Sequence, residues 1–473
     1  MSIRQDAVAW RDPEPALFAV LDPANGDIVG QAPDATAKAM DRAIGEAQAA
    51  LPGWSALLAR ERAARLRAWR EALASEAEVL AQLITREQGK PLAESRGEVA
   101  YGLSFIDWFA EEAGRLEGVI IPSHLHGASL SARPAPLGVA AAITPWNFPF
   151  AMITRKAAAA LAAGCTVVVK PSPETPLTAI AIAAAASRAG LGDGILAVVT
   201  GRADALGEQL CLDPRVKVVS FTGSTVVGRK ILSSAAGTIK RVLLELGGHA
   251  PFIVFADADL DRAVADCVAA KFVTSGQDCL AANRIFVHRD VHDAFVERFV
   301  AAVKALRLGH GLEPDVDLGP LIHEGQVDHC LAQIADAVGR GARVLTGGAR
   351  DRRGSTFLEP TVLTGVDETM RIFREETFGP VAPILVFDDE DEVVARANDS
   401  LYGLAAYIQT ADQARAVRVQ SRLAYGMTAV NTASMTGPPV PFGGLGQSGL
   451  GREGSHQGVR DFTDTKYLCL HHG

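Results

Sequence analysis

The chain has 473 residues, with 46 basic against 55 acidic side chains and a formal charge of −9. That length exceeds what one hydrophobic core organises, so two or three domains are expected, and 48% hydrophobic with 21% charged residues fits a soluble globular protein. No basic stripe suits a nucleic-acid partner, and the most apolar run, Leu177–Ala186, is too short to cross a bilayer and reads as a buried helix.

In chain order, the opening MSIRQDAVAWRDPEP has no basic stretch followed by an apolar one, so it does not read as a secretory signal. Ala37–Leu51, Arg60–Ile84 and Arg96–Leu116 carry apolar residues at three- and four-residue spacing, which predicts amphipathic helices. After about residue 138 the pattern changes to short apolar runs, Gly138–Thr144, Thr166–Lys170, Ile195–Thr200 and Val216–Phe221. Between them lie helical patterns at Phe150–Ala163, Pro176–Ala189 and Ala203–Cys211. Strand–helix–strand alternation of this kind predicts a parallel, doubly wound α/β sheet. A second alternating block runs from about Ala250 to Val440, with strands expected at Pro251–Val254, Arg284–Val287, Arg343–Thr346, Ala382–Phe387 and Ala429–Asn431. Two such blocks suggest two domains with a ligand cleft between them. Ser129–Pro136 and Lys466–Leu470 read as outlying strands that pair with each other or with another subunit. Six cysteines, at 165, 211, 267, 279, 330 and 469, show no ligand spacing. No disulfide framework or metal site is expected, and a reducing cytoplasm fits.

Several short segments suit chemistry. In Gly276-Gln277-Asp278-Cys279 a cysteine beside a glycine turn can be exposed and nucleophilic. Glu245, at the end of the apolar strand Val242–Leu244 and before Gly247 and Gly248, can serve as a general base, or be an ordinary salt-bridged Glu. In Pro145-Trp146-Asn147-Phe148-Pro149 two prolines fix the backbone and aim the Asn147 amide, a neutral donor suited to an oxyanion; the alternative is a structural turn with a packed Trp. Lys170-Pro171-Ser172-Pro173 closes a strand of the first block, where dinucleotides bind in doubly wound sheets. Phe221–Gly228 leaves the next strand and opens a helix whose N-terminus favours pyrophosphate. It is not a Walker A loop, because Arg229 and Lys230 follow Gly228. Gly443-Gly444-Leu445-Gly446 opens onto no helical pattern and is discounted as a nucleotide loop.

Taken together and in this order, PWNFP at 145, VVVKPSPETP at 167, SFTGSTVVG at 220, LELGGHAPF at 244, SGQDC at 275, EETFGPV at 375, PFGG at 441 and SGLGREGS at 448 carry a resemblance. The chain resembles the aldehyde dehydrogenase superfamily from about Leu21 onward, and within it the succinate-semialdehyde dehydrogenase branch. The resemblance implies NAD(P)-dependent oxidation of an aldehyde to its acid through a cysteine thioester, the aldehyde being an ω-carboxylate semialdehyde or, alternatively, an aromatic or longer aliphatic one. It implies a Rossmann-like cofactor domain (1–120 and 140–245), an α/β catalytic domain (246–440), and a small β oligomerisation arm with a C-terminal strand (121–139 and 455–473) in a homodimer or homotetramer. Cys279 matches the nucleophile, Glu245 the general base, and Asn147 the oxyanion donor. Trp146, Lys170, Ser172, Pro173, Gly223, Ser224, Leu246, Glu376 and Phe378 match positions around NAD or NADP.

Departures from the resembled branch bear on specificity. Pro173 stands where NAD-preferring members often carry a Glu for the ribose 2′-hydroxyl, which leaves NADP allowed. Ala281 replaces a second cysteine that some relatives use as a redox switch. Arg155 matches one arginine that holds the substrate carboxylate, but Val273 stands where a second is expected, and Thr436 replaces a serine of the same pocket. Asp278 adds a negative charge nearby and is a candidate partner for Arg155. A CoA-acylating dehydrogenase, which does not hydrolyse the thioester, is disfavoured by Glu245, and an inactive structural homologue is disfavoured by the intact Cys279, Glu245 and Asn147.

Overall fold

The computed structural model describes residues 16–473, so the opening segment read above lies outside the described residues. A six-stranded sheet runs in the order Gly449–Leu450, Arg241–Glu245, Val216–Thr222, Val139–Ile143, Thr166–Lys170 and Leu196–Val198, parallel except for the Gly449–Leu450 edge. From Val139–Ile143 the chain builds outward on one side and then returns to lay Val216–Thr222 on the other. The strand order therefore reverses between these two, and the loops leaving their carboxyl ends open a crevice there.

The second sheet has seven strands, in the order Arg343–Thr346, Thr361–Thr364, Val381–Phe387, Ala282–His288, Ala250–Val254, Ala405–Gln409 and Met427–Val430, with only the first antiparallel. Its central strands are buried on both faces, which is why they read as unbroken apolar runs. The outlying strands do pair with each other: Ala128–Pro136 runs antiparallel to Thr463–His471 over nine register pairs, and Val119–Ile121 completes that sheet.

Helix Ala151–Ala163 follows the PWNFP turn and is buried along its whole length; Gly164, at φ 95°, ends it in a left-handed cap. Its alanines let it lie close to the sheet, so Asn147 stands on rigid backbone. No helix among the described residues is long and apolar enough to cross a membrane.

Three expectations are corrected. Arg60–Ile84 is two helices, Ala59–Ala74 and Ala77–Gln88. Ser75 breaks them by turning its hydroxyl back onto the Ala72 carbonyl at 2.8 Å; the apolar spacing persists across the break because Trp69, Leu73, Leu80 and Ile84 all enter one core. The third helix begins earlier, as Leu92–Glu112. Strands Leu17–Leu21, Ile28–Pro33, Thr361–Thr364 and Ala405–Gln409 escaped the sequence reading, since runs of four to six residues carry little periodic signal.

Candidate active site

The carboxyl ends of the six-stranded sheet face the segments that enter the seven-stranded one, and a cavity of about 330 Å³ opens between them. From the first sheet come Trp146 and Asn147, then Gly223 and Ser224, then Leu246 and Gly247. From the second come Cys279, just before strand Ala282–His288, and Glu376 with Phe378, just before strand Val381–Phe387. Close approach is built into this junction. A Cβ on Gly248 would stand 2.0 Å from the Cys279 carbonyl oxygen, so only glycine lets the two segments meet.

Four of the other five cysteines are buried and Cys469 is exposed; only Cys279 is half-buried and opens onto the cavity. Burial pushes its thiol well above the ordinary range, the carboxylates of Asp278, Glu245 and Glu376 push the same way, and Arg155 opposes them. A thiol so placed is neutral at rest and needs a proton acceptor before it can attack. The backbone leading to it is strained: Thr274 and Ser275 hold φ of 52° and 56°, each at a cost of about 1–3 kcal/mol.

Glu245 ends its strand in this environment, 4% exposed, and neither carboxylate oxygen has a hydrogen-bond partner. Burial and then Glu453 raise its pKa well above the usual carboxylate range, against the pull of Arg155 and Lys156. A carboxyl whose pKa is raised and which has no fixed partner becomes, once ionised, a strong acceptor for a proton during a reaction. Asn147 is equally buried. Its Nδ2 donates to the Gln277 carbonyl at 3.0 Å, which aims the amide at the loop carrying Cys279 and leaves its second N–H free to donate.

The rest of the cavity suits a nicotinamide dinucleotide. Ser224 N-caps helix Thr225–Ala236 by accepting the Val227 N–H, and the helix N-terminus points its free N–H groups at the crevice. Phe378 stands edge-on to Trp146, with centroids 5.6 Å apart. Glu376 accepts the Gly248 N–H at 2.8 Å, and burial pushes its carboxyl up to about 7. Lys170 is largely buried at the end of strand Thr166–Lys170, and its ammonium has no ion-pair partner among the described residues. Burial lowers its pKa, while Glu174, Asp204 and Asp34 hold it up. An unpaired cation there fits a ribose or phosphate oxygen. Ser172 hydrogen-bonds Glu174, and neither Ser172 nor Pro173 lies on the cavity wall.

The substrate-side candidates are less closely gathered. Arg155, 2% exposed, pairs with Glu453 and lies 4.4 Å from the Phe442 ring centroid. The expected Arg155–Asp278 pair is not formed, because Asp278 turns back to accept the Leu280 N–H at 3.0 Å. Val273 is 38% exposed and Thr436 half-buried, and neither lines the cavity. Sequence reasoning missed Gln326 and His329, which reach the wall from helix Glu324–Gly339 with no motif to mark them. It also missed Lys156, whose ammonium pairs with Glu453. The available signal was a charged doublet, Arg155-Lys156, inside an otherwise apolar buried helix.

Known proteins match this chain along its length. It is 54% identical to a non-phosphorylating aspartate-semialdehyde dehydrogenase of Halomonas elongata, over 96% of this chain and 92% of that one. It is 50% identical to an NADP(+)-linked succinate-semialdehyde dehydrogenase of Escherichia coli, over 95% and 94% of the two chains. The crystal structure of succinate-semialdehyde dehydrogenase from Burkholderia pseudomallei superposes with a TM-score of 0.95 at 50% identity, over 96% of this chain and 95% of that one. The aldehyde dehydrogenase family pattern matches residues 10–468, and the chain therefore belongs to the aldehyde dehydrogenase family, NAD(P)-dependent oxidoreductases that convert an aldehyde to its acid.

Proposed function

We propose that the chain oxidises a short semialdehyde bearing a carboxylate at its far end, such as succinate semialdehyde, through a thioester on Cys279. The observation that carries the reading is the half-buried Cys279 thiol opening onto the cavity wall that also carries Asn147, with the unpartnered Glu245 carboxyl near enough to raise the thiol's pKa. Sγ, once deprotonated, adds to the aldehyde carbon, and the new oxyanion takes the free Asn147 N–H. Losing such a donor costs about 3–4 kcal/mol in the transition state. Trp146, Gly223, Ser224, Leu246, Glu376 and Phe378 on the cavity wall would hold NAD(P), with Lys170, Ser172 and Pro173 at the adjoining strand end, and the nicotinamide would supply the hydride acceptor. Loss of hydride leaves the thioester. Glu245 then takes a proton from water, the hydroxide displaces the thiolate, and the acid departs.

The substrate class is argued from charge and likeness together. Arg155 and Lys156 bring two positive charges against the one of Glu453 with which both pair. A distant carboxylate is drawn to these cations, and the relatives named for semialdehydes of carboxylic acids act on such molecules. Val273 stands where the resembled branch carries a second arginine, which leaves one cation fewer for a carboxylate, so longer or aromatic aldehydes remain a second class to assay. We read 1–120 with 140–245 as the cofactor unit and 246–440 as the catalytic unit. We read 121–139 with 455–473 as a dimer- or tetramer-forming arm, since Tyr467 is 57% and Leu468 58% exposed on that small sheet. Six unpaired cysteines fit a cytoplasmic setting.

The test is a panel of succinate, glutarate, aliphatic, aromatic and amino aldehydes with each cofactor, with the acyl-enzyme trapped and mapped. Acylation at Cys279 and highest kcat/KM on ω-carboxylate aldehydes support the reading. Acylation elsewhere, or equal rates on neutral aldehydes, refutes it.

A further inference from the structure

Behind the wall that carries Asn147, the first turns of helix Leu92–Glu112 present two carboxylates four residues apart, Glu94 and Glu98, and so on one helix face. Glu98 is buried. One of its oxygens accepts the N–H groups of Phe150 at 2.8 Å and Ala151 at 3.2 Å, where the helix after Asn147 begins; the other accepts from Lys90 Nζ at 2.8 Å. The same ammonium, also buried, donates to the main-chain carbonyl of Asn147 at 2.6 Å and lies 3.8 Å from the Phe148 ring centroid. Asn147 is thus gripped at its backbone by Lys90 and at its amide by the Gln277 carbonyl.

Glu94 reaches the opposite wall. Its Oε2 accepts the Thr274 N–H at 2.8 Å and the Thr274 hydroxyl at 3.2 Å, at the start of the left-handed pair that leads to Cys279. Gln277 closes the circuit, its side chain donating to the Thr274 carbonyl at 3.1 Å. One helix turn therefore ties the oxyanion donor and the nucleophile loop to each other.

A buried ion pair is a poor source of stability, because desolvation offsets most of the attraction. What it does supply is fixed direction, and an oxyanion donor works only when aimed at the atom that becomes charged. We propose that Lys90, Glu94 and Glu98 are positioning residues that hold the Asn147 amide and the Thr274–Cys279 backbone at a set separation for acylation. They touch neither aldehyde nor cofactor and act through Asn147 and Thr274. The inference rests on the roles given above to Asn147 and Cys279.

The experiment measures single-turnover NADH formation, aldehyde KM and cofactor Kd for Lys90→Met, Asn147→Ala and the double variant. Lys90→Met is expected to slow acylation by about 10–100-fold, the scale of a misplacement near 1 Å, with KM and Kd within about twofold. In the double variant it should add no more than about twofold to the loss from Asn147→Ala. Unimpaired acylation in Lys90→Met, or losses that multiply in the double variant, overturn the proposal. An unimpaired Asn147→Ala overturns instead the oxyanion role beneath it. Glu98→Gln keeps an acceptor for Phe150 and Ala151 while removing the counter-charge of Lys90. It gives the same comparison in a chain that retains its helix cap, should Lys90→Met fail to fold. For Glu94, acylation and the rate of Cys279 alkylation by iodoacetamide are read in Glu94→Ala and Glu94→Gln. The Gln variant still accepts from Thr274 and should stay within about threefold of wild type, while the Ala variant loses about tenfold. Equal losses in the two overturn the role of Glu94.

Discussion

Replacing Glu245 with Gln separates the two halves of the proposed reaction. The substitution keeps the shape of a side chain that is 4% exposed and has no hydrogen-bond partner to lose, so packing and hydride transfer should survive. What disappears is the proton acceptor for thioester hydrolysis. A positioned general base is worth about 10²–10⁴ in rate, or about 2.7–5.4 kcal/mol at 1.36 kcal/mol per decade. Stopped-flow mixing with aldehyde and cofactor should show one NADH per active site, followed by a steady state slower by that factor. The same change has a thermodynamic signature. Glu245 has a folded pKa raised above its ordinary 4.5, first by burial and then by Glu453. Its contribution to stability is therefore fully present below about pH 4.5 and is lost as pH rises through the folded pKa. Gln cannot ionise, so the variant should gain thermal stability relative to wild type as pH rises, measured by Tm from about pH 4.5 upward. Normal steady-state turnover, or a burst that vanishes together with it, would refute the base assignment.

Further outcomes follow from the same geometry. Cys279→Ala should abolish dehydrogenase activity while leaving cofactor Kd within about threefold, checked by fluorescence titration, because the thiol bears the bond-making and not the dinucleotide. kcat/KM should still be climbing at alkaline pH, since the Glu245 carboxyl and the Cys279 thiol are both raised and must each lose a proton to act; a flat profile would contradict their roles. Arg155→Ala should lower kcat/KM for succinate semialdehyde by at least about tenfold, near 1.4 kcal/mol, and barely change a neutral aldehyde of equal length. Equal losses would show that its pairing with Glu453 is purely structural. Pro173→Glu should raise the KM for NADP more than that for NAD, because a carboxylate there would repel a 2′-phosphate; equal effects would place residue 173 away from the ribose.

Much of this protein was legible before folding. The alternation of apolar runs and helical patterns after residue 138 specified two parallel sheets, because a strand buried on both faces must be continuously apolar and its crossover must be a helix. The candidate nucleophile, base and amide stood out because each sits near glycine or proline at a turn flanking a strand, where sequence advertises the turn. Short edge elements such as Thr361–Thr364 did not, since four residues give no usable period.

Other features exist only in three dimensions. That Arg155 pairs with Glu453, 298 residues away, and not with Asp278 depends on which buried carboxylate the packed helix Ala151–Ala163 brings to it; Asp278 is taken by its own loop. The shifted acidities of Glu245, Glu376 and Cys279 likewise belong to the fold, because desolvation and neighbouring charge are set by what surrounds a group in space. The tie from Lys90, Glu94 and Glu98 to Asn147 and Thr274 crosses up to 180 residues of chain. Local sequence fixes which groups can donate, accept or attack, since that is covalent chemistry and turn propensity. Which of them face one another, and at what charge, is decided only when two sheets close on a shared cavity and exclude water from it.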